Sequence, residues 1–233
     1  MPGLFITGTD TGVGKTLVTT ALLHAFASLG VRAVGMKPVA AGAELVNGVW
    51  VNEDVALIRA ASEVDAPPEL TNPYLFREPI APHIAADLKG VAIEIPRIAA
   101  ACEALSEQAE VVVVEGVGGF RVPLSPTMDT ADLAVRLGLP VILVVGMRLG
   151  CINHALLTAD AIAARGLALA GWIANRHEPD MAAYDENLAS LAARLPAPLL
   201  AELPLMAAAD PVRAAHYIPP QKLTALLRYI SKQ

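Results

Sequence analysis

Apolar runs of about five residues alternate with longer stretches of helical period along this chain, and that alternation restricts the fold more than any other feature. A short apolar run without polar alternation suits a strand covered on both faces, and repeated strand-helix-strand units close as a parallel sheet flanked by helices. The pattern predicts strands at Leu4–Thr7, Ala33–Lys37, Val111–Glu115, Val141–Val145, Ala168–Ala174 and Leu199–Leu203. Helices are predicted at Lys15–Leu29, Asp54–Ser62, Ile95–Glu107, Ala131–Leu137, Asn153–Arg165, Met181–Arg194 and Lys222–Ile230. The expectation is an α/β fold, a doubly wound and mainly parallel sheet flanked by helices, with residues 1–233 forming one domain. Ligands of such sheets lie beyond the carboxyl ends of the strands, so the residues just after each run carry the functional information.

Hydrophobic residues make up 55 % of the chain, enough to raise the question of a membrane. The runs Val141–Val145 and Leu167–Ala174 are strand-length, however, far short of the roughly 18 residues that a spanning helix needs. Asp10 interrupts the first apolar stretch and Lys15 comes too late for the basic head of a signal peptide, so a cytoplasmic location is expected. Cys102 and Cys151 show no metal-ligand spacing, which suits a reducing compartment. A net charge of −6 without basic runs argues against nucleic acid as a partner, so an anionic ligand needs a local site. Between Ala66 and Pro82 stand Pro67, Pro68, Pro73, Pro79 and Pro82, which predict a long irregular loop, either a substrate lid or a connection.

The local site is legible at the end of the first run. Gly8-Thr9-Asp10-Thr11-Gly12-Val13-Gly14-Lys15-Thr16 separates a strand from a long helix, the order that a phosphate-binding P-loop requires. Glycines let consecutive N–H groups curl round a phosphate and the helix N-terminus adds its dipole. Lys15 brings a charge to the terminal phosphates and Thr16 offers a hydroxyl to magnesium. Gly8 lies one residue earlier than the strict template places it, so the loop is a variant. Glu115 ends the apolar strand Val111–Val114 where P-loop proteins usually carry a magnesium-binding aspartate, although a strand-end acid can also be a surface group. Lys37 ends another strand, and beside a phosphate site it can offset the charge that gathers during phosphoryl transfer. Asp54 either complements the dipole of the helix it opens or joins Thr16 and Glu115 as a hard-oxygen magnesium ligand.

These segments, together with Lys37-Pro38-Val39, Asn72-Pro73-Tyr74, Ala81-Pro82-His83, Val114-Glu115-Gly116-x-Gly118-Gly119 and Leu149-Gly150-Cys151-Ile152-Asn153-His154, resemble the dethiobiotin synthetase family over most of the chain. The resemblance implies an ATP-dependent ligase that closes the ureido ring of dethiobiotin from 7,8-diaminopelargonic acid and CO2 in biotin synthesis. It implies Lys37 and Lys15 as catalytic residues and Thr16, Asp54 and Glu115 as holders of Mg2+. Nucleotide contacts would come from Thr11, Gly12, Val13, Gly14, Lys15, Thr16, Asp54, Glu115 and Gly118, with Asn175 reading adenine and Pro204 beside the base. An asparagine amide suits that task because it presents a donor and an acceptor together, although an Asn at this place also suits a turn. Substrate would meet Lys37, Ala41, Gly118, Gly150, Cys151 and Asn153, the last three lying at a helix start that serves the partner subunit of a homodimer.

Two positions depart from the family pattern. Ala41 stands where a hydroxyl residue is expected, and Gly12 stands where some members carry glutamate. Both bear on substrate affinity rather than phosphate chemistry. Cys151 and His154 are three apart on one helix with no orienting third group, a poor nucleophile arrangement. Two other readings remain open. One is a nucleotide-switch ATPase of the chromosome-partitioning type, which would carry an extra early lysine absent from Gly8–Thr11. The other is a P-loop ligase for a different small acid.

Overall fold

Valine and isoleucine dominate the two central runs Val111–Val114 and Val141–Val145, and their branched side chains fit a pleated surface buried on both sides. The computed structural model describes residues 2–206 and 208–232. In it the apolar runs form β1 (Gly3–Gly8), β2 (Ala33–Met36), β3 (Val111–Glu115), β4 (Val141–Met147), β5 (Leu169–Arg176) and β6 (Leu199–Leu203). They join in one sheet of order β6-β5-β4-β1-β3-β2, every pairing parallel. The order reverses about β1. The chain goes from β1 to β2, returns to β3 between them, and then crosses to β4 on the far side of β1. The crevice beyond the end of β1 is therefore the switch point at which ligands of open α/β sheets bind.

The principal helices are α1 (Lys15–Ser28), α2 (Glu53–Ala61), α3 (Pro82–Lys89), α4 (Ile95–Ser106), α5 (Thr130–Leu137), α6 (Cys151–Ala164), α7 (Tyr184–Arg194) and α8 (Pro220–Ile230). Leu4 and Ile6 of β1 pack with Leu22 and Phe26 of α1, Ile58 of α2 and Leu226 of α8, whereas Phe5 packs on the opposite face with Ile98 and Leu105 of α4 and Leu133 of α5. Alternation along a strand thus feeds two separate cores. Among the described residues no helix is long and apolar enough to cross a membrane.

Every predicted strand and helix is present, Val111–Glu115 and Leu199–Leu203 with the predicted bounds and the others with ends shifted by at most three residues. Four features were not expected, one of them the helix α3 itself (Pro82–Lys89). Residues 66–82 are not irregular throughout: Pro68–Thr71 form a helical turn, and Tyr74–Leu75 pair in parallel with Val39–Ala40. Pro68 and Pro82 each open a helix, the one place in a helix where a missing N–H is harmless, so proline density marks helix starts here rather than disorder. Glu44–Val46 and Val49–Val51 form an antiparallel hairpin on an Asn47-Gly48 turn in which both residues have positive φ, 51° and 80°. That dipeptide between apolar residues was a readable hairpin signal. The short helix Pro211–Ala215 was also missed.

The loop from Gly116 to Asp129 walls the crevice and is pinned to α5. Thr130 Oγ1 donates to Phe120 O at 2.6 Å and accepts from Val122 N at 3.0 Å. Asp129 caps α5 through Ala131 N and Asp132 N, at 2.9 and 3.1 Å, and pairs with Arg121. Partial burial opposes the charge of Asp129, but Arg121 and the amide donors hold its carboxyl below the usual 3.8. Its folded pKa is thus depressed, so its contribution is complete above about pH 4 and fades as pH falls through the folded value. Replacing Asp129 with Ala should lower stability by about 1–2 kcal/mol at pH 7, and urea melts should show that difference shrinking below pH 4.

Candidate active site

Register brings the charged strand ends together. Met36 of β2 pairs with Val114 of β3, so the next residue on each strand, Lys37 and Glu115, meet at the rim. Their ammonium and carboxylate form an ion pair in which Lys37 is 4 % exposed and Glu115 is wholly buried. Lys37 Nζ also lies 3.0 Å from Asp54 Oδ2. Burial alone would drive Lys37 toward neutrality, but Glu115 and Asp54 outweigh it and hold the ammonium above the ordinary lysine range. Asn72 fixes the strand end, its Nδ2 donating to Lys37 O at 2.6 Å while Lys37 N donates to Thr71 O at 2.8 Å.

Asp54 arrives from α2, whose start is set by Asn52. The Asn52 side chain accepts from Val55 N at 3.2 Å as a helix cap and donates to Ala41 O at 3.1 Å. One buried amide thereby ties the chain just past the Val39–Ala40 strand to the helix that carries Asp54. The sequence signal for this cap is an asparagine just ahead of an acidic first turn.

The loop after β1 supplies the third part. Thr16 Oγ1 lies 2.7 Å from Asp54 Oδ1 and 2.9 Å from Glu115 Oε1. Its single proton can serve only one of them at a time, and Glu115 Oε2 is buried with no hydrogen-bond partner among the described residues. A hydroxyl, two carboxylates and an orphaned acceptor oxygen fit a hard divalent cation that shares its remaining positions with water or phosphate. Lys15 is buried, and its Nζ donates to Asp10 O at 3.1 Å. Burial, then the neighbouring Lys37, pushes its pKa down to about 8, and an anionic ligand would raise it again by stabilising the ammonium. Gly14 holds φ of 91°, and a Cβ there would stand 2.2 Å from Asn175 Nδ2, so only glycine fits.

A cavity of about 810 Å3 joins these groups. Thr11, Gly12, Gly14, Lys15, Thr16, Lys37, Ala41, Asp54, Glu115 and Gly118 all line it, so most of the expected site residues converge. Pro79 and Ala81 line it as well, together with Ile80, Val117 and Val122, three apolar contributors that the sequence did not single out. The proline-rich segment forms one wall and is tied to the chain after β2, where Phe76 N donates to Ala40 O at 2.8 Å and Gly42 N to Glu78 O at 3.2 Å. Val13, Asn175, Pro204, Gly150, Cys151 and Asn153 lie outside the lining. Val13 is buried behind the loop, and its carbonyl accepts from Asn175 Nδ2 at 2.9 Å. Asn175 falls within β5 rather than after it, level with Gly146 of β4. Gly150 precedes α6, whose first residue Cys151 is buried, and Pro204 is half-buried just beyond β6.

A family profile described as "AAA domain" matches residues 2–213. Among solved structures, the MinD cell division protein of Aquifex aeolicus and its MinC:MinD complex are similar, each with a TM-score of 0.58 at 17 % identity over all of this chain and 97–98 % of theirs. That likeness concerns the fold alone. The sequence is 62 % identical over 211 residues to the ATP-dependent dethiobiotin synthetase BioD of Aromatoleum aromaticum, covering 91 % of this chain and 94 % of the relative. It is 56 % identical over 218 residues to the protein of that name from Janthinobacterium sp. (strain Marseille), covering 92 % of each. With such identity along nearly the whole length, and with the P-loop architecture already in view, the chain belongs to the ATP-dependent dethiobiotin synthetase family.

Proposed function

We propose that this ATP-dependent ligase converts 7,8-diaminopelargonic acid, CO2 and ATP into dethiobiotin, ADP and phosphate. The observation that carries the reading is the meeting of two buried lysines with Thr16, Asp54 and Glu115 around one cavity. One amine adds to CO2 and loses a proton to give a carbamate. A carbamate oxygen takes the γ-phosphoryl group from ATP, and ADP leaves. The second amine then attacks the activated carbonyl, and phosphate departs as the ureido ring closes. Each stage gathers negative charge beside Lys37 and Lys15. Lys37 is kept protonated by its two carboxylate neighbours and is placed to hold the carbamate and its phosphorylated form. Lys15 has three N–H donors and can keep the Asp10 carbonyl while it follows the transferred group.

Thr16, Asp54 and Glu115 are the residues that would hold Mg2+, which when bound supplies charge neutralisation to the phosphates. Asn175 is read as the adenine contact and Pro204 as its neighbour. In the structure the Asn175 donor is engaged by the loop itself, which leaves its carbonyl oxygen for an adenine amino group. Gly150, Cys151 and Asn153 are assigned to a substrate carboxylate across a homodimer. The reading draws support from Leu149, 91 % exposed beside Gly150, and Leu157, 61 % exposed one face along α6. A cytoplasmic location belongs to the same reading.

Incubation of the purified protein with Mg-ATP and bicarbonate should release ADP only when the diamine is added, with an equal amount of dethiobiotin by mass. Slow ATP hydrolysis indifferent to the diamine would favour a switch ATPase or another acid substrate. Changing Lys37 to Ala should reduce turnover by roughly a hundredfold or more while circular dichroism and ATP binding persist, and near-normal turnover would remove Lys37 from the mechanism. The Asn175 assignment has a sharper test. Wild-type protein should prefer ATP over the purine riboside triphosphate that lacks the amino group, and Asn175→Ala should abolish that preference. Equal weakening of both nucleotides would mean that Asn175 serves only to anchor Val13.

A further inference from the structure

Asp10 is an anomaly in a loop built for anions, because it adds a negative charge where a polyphosphate must approach. Its contacts resolve the conflict. Its carbonyl oxygen accepts from Lys15 Nζ at 3.1 Å, its Oδ1 from Thr11 N at 2.8 Å, and its Oδ2 from Arg148 Nη2 at 2.6 Å. The Thr11 N–H, and with it the Arg148 guanidinium, hold the Asp10 carboxyl below the usual carboxylate range despite some burial, so the charge is present and compensated. Arg148 follows directly on β4, and its own carbonyl accepts from Cys151 N at 3.0 Å where α6 opens. Its place is therefore fixed by the sheet rather than by the loop.

The two side chains are about half-exposed, 47 % for Asp10 and 41 % for Arg148. An ion pair so placed adds little to stability. Its consequence is local. With Arg148 in position, Asp10 is neutralised on one side and bonded to the loop amide on the other, so its backbone carbonyl is held toward Lys15. Without Arg148, an uncompensated carboxylate would stand in the loop that carries Lys15, and the Asp10 peptide would lose one of its anchors.

We propose that Arg148 is a positioning residue for ATP, which neutralises Asp10 and fixes the Asp10 carbonyl so that Lys15 and the 8–16 loop accept a polyphosphate. The proposal rests on the reading of that loop as the ATP site. Arg148 itself touches no reacting atom, so its loss should appear in ATP affinity and not in the chemical step.

The test compares Arg148→Gln, Arg148→Lys, Asp10→Asn and the Asp10→Asn/Arg148→Gln double variant, using Mg-ATP titration calorimetry, steady-state kinetics and thermal melts. Arg148→Gln should weaken ATP by about tenfold in both Kd and KM, with kcat changed less than about threefold and Tm nearly constant. Added salt should narrow the difference, since screening weakens the repulsion from Asp10. The lysine variant, which keeps the charge, should stay within about threefold of wild type. Removing both charges should restore most of the affinity lost in Arg148→Gln, a reversal that a merely structural role would not produce. ATP affinity within twofold of wild type in Arg148→Gln, or a double variant as weak as that single one, would overturn the proposal. An unsubstituted protein that fails to bind Mg-ATP would overturn the reading of the loop itself.

Discussion

The pairing of Lys37 with Glu115 is the constraint around which the site is arranged. A charged pair this deeply buried is favourable only when both partners are held close and further polar groups satisfy them. Asp54 and Thr16 are those further groups, each delivered by a different helix start. Removing one member of a buried pair typically costs about 3–5 kcal/mol, because the other is left uncompensated. The arrangement therefore makes the positions of β2, β3, α1 and α2 interdependent. The same groups that must satisfy one another in the fold are those available to an anionic substrate and a cation.

The phosphate loop is held from the other side of the switch point. Thr9 N donates to Val144 O at 3.0 Å, Val13 packs where Gly146 leaves room, and Asn175 holds the Val13 carbonyl. A Cβ at Gly146 would come within 2.8 Å of Val13 Cγ1. The ends of β4 and β5 thus act as a bed for the loop, while the ends of β2 and β3 carry the lysine and glutamate that face it. Parallel strands make this economical, since all their carboxyl ends open on one crevice. Rigid support of this kind matters for phosphoryl transfer, in which positioning and electrostatics do most of the catalysis.

Much of this was legible in the chain. The strand at Val111–Glu115 could be read to the residue because unbroken valines leave few alternatives, and the glycine loop announces itself by the spacing of Gly14, Lys15 and Thr16. The segment at 66–82 was misjudged because proline content says where a helix interior cannot be, not where a helix begins. Asn52 was passed over because a cap is an ordinary feature until its amide is seen reaching Ala41. The apolar walls at Ile80, Val117 and Val122 gave no signal, since nothing in a short apolar residue distinguishes a cavity lining from a core.

The sequence by itself determined the fold class, the phosphate loop and the two strand-end lysine and glutamate positions, because local periodicity and short motifs act over a few residues. It also carried the family likeness that identity with known relatives bears out. Only the tertiary structure decided that Lys37 meets Glu115 and Asp54, that one threonine hydroxyl lies between two carboxylates, and that Arg148 neutralises an acid far away in the chain. Those facts follow from strand order and register, which place residues tens to more than a hundred positions apart at one rim, and no local pattern encodes which strand ends become neighbours.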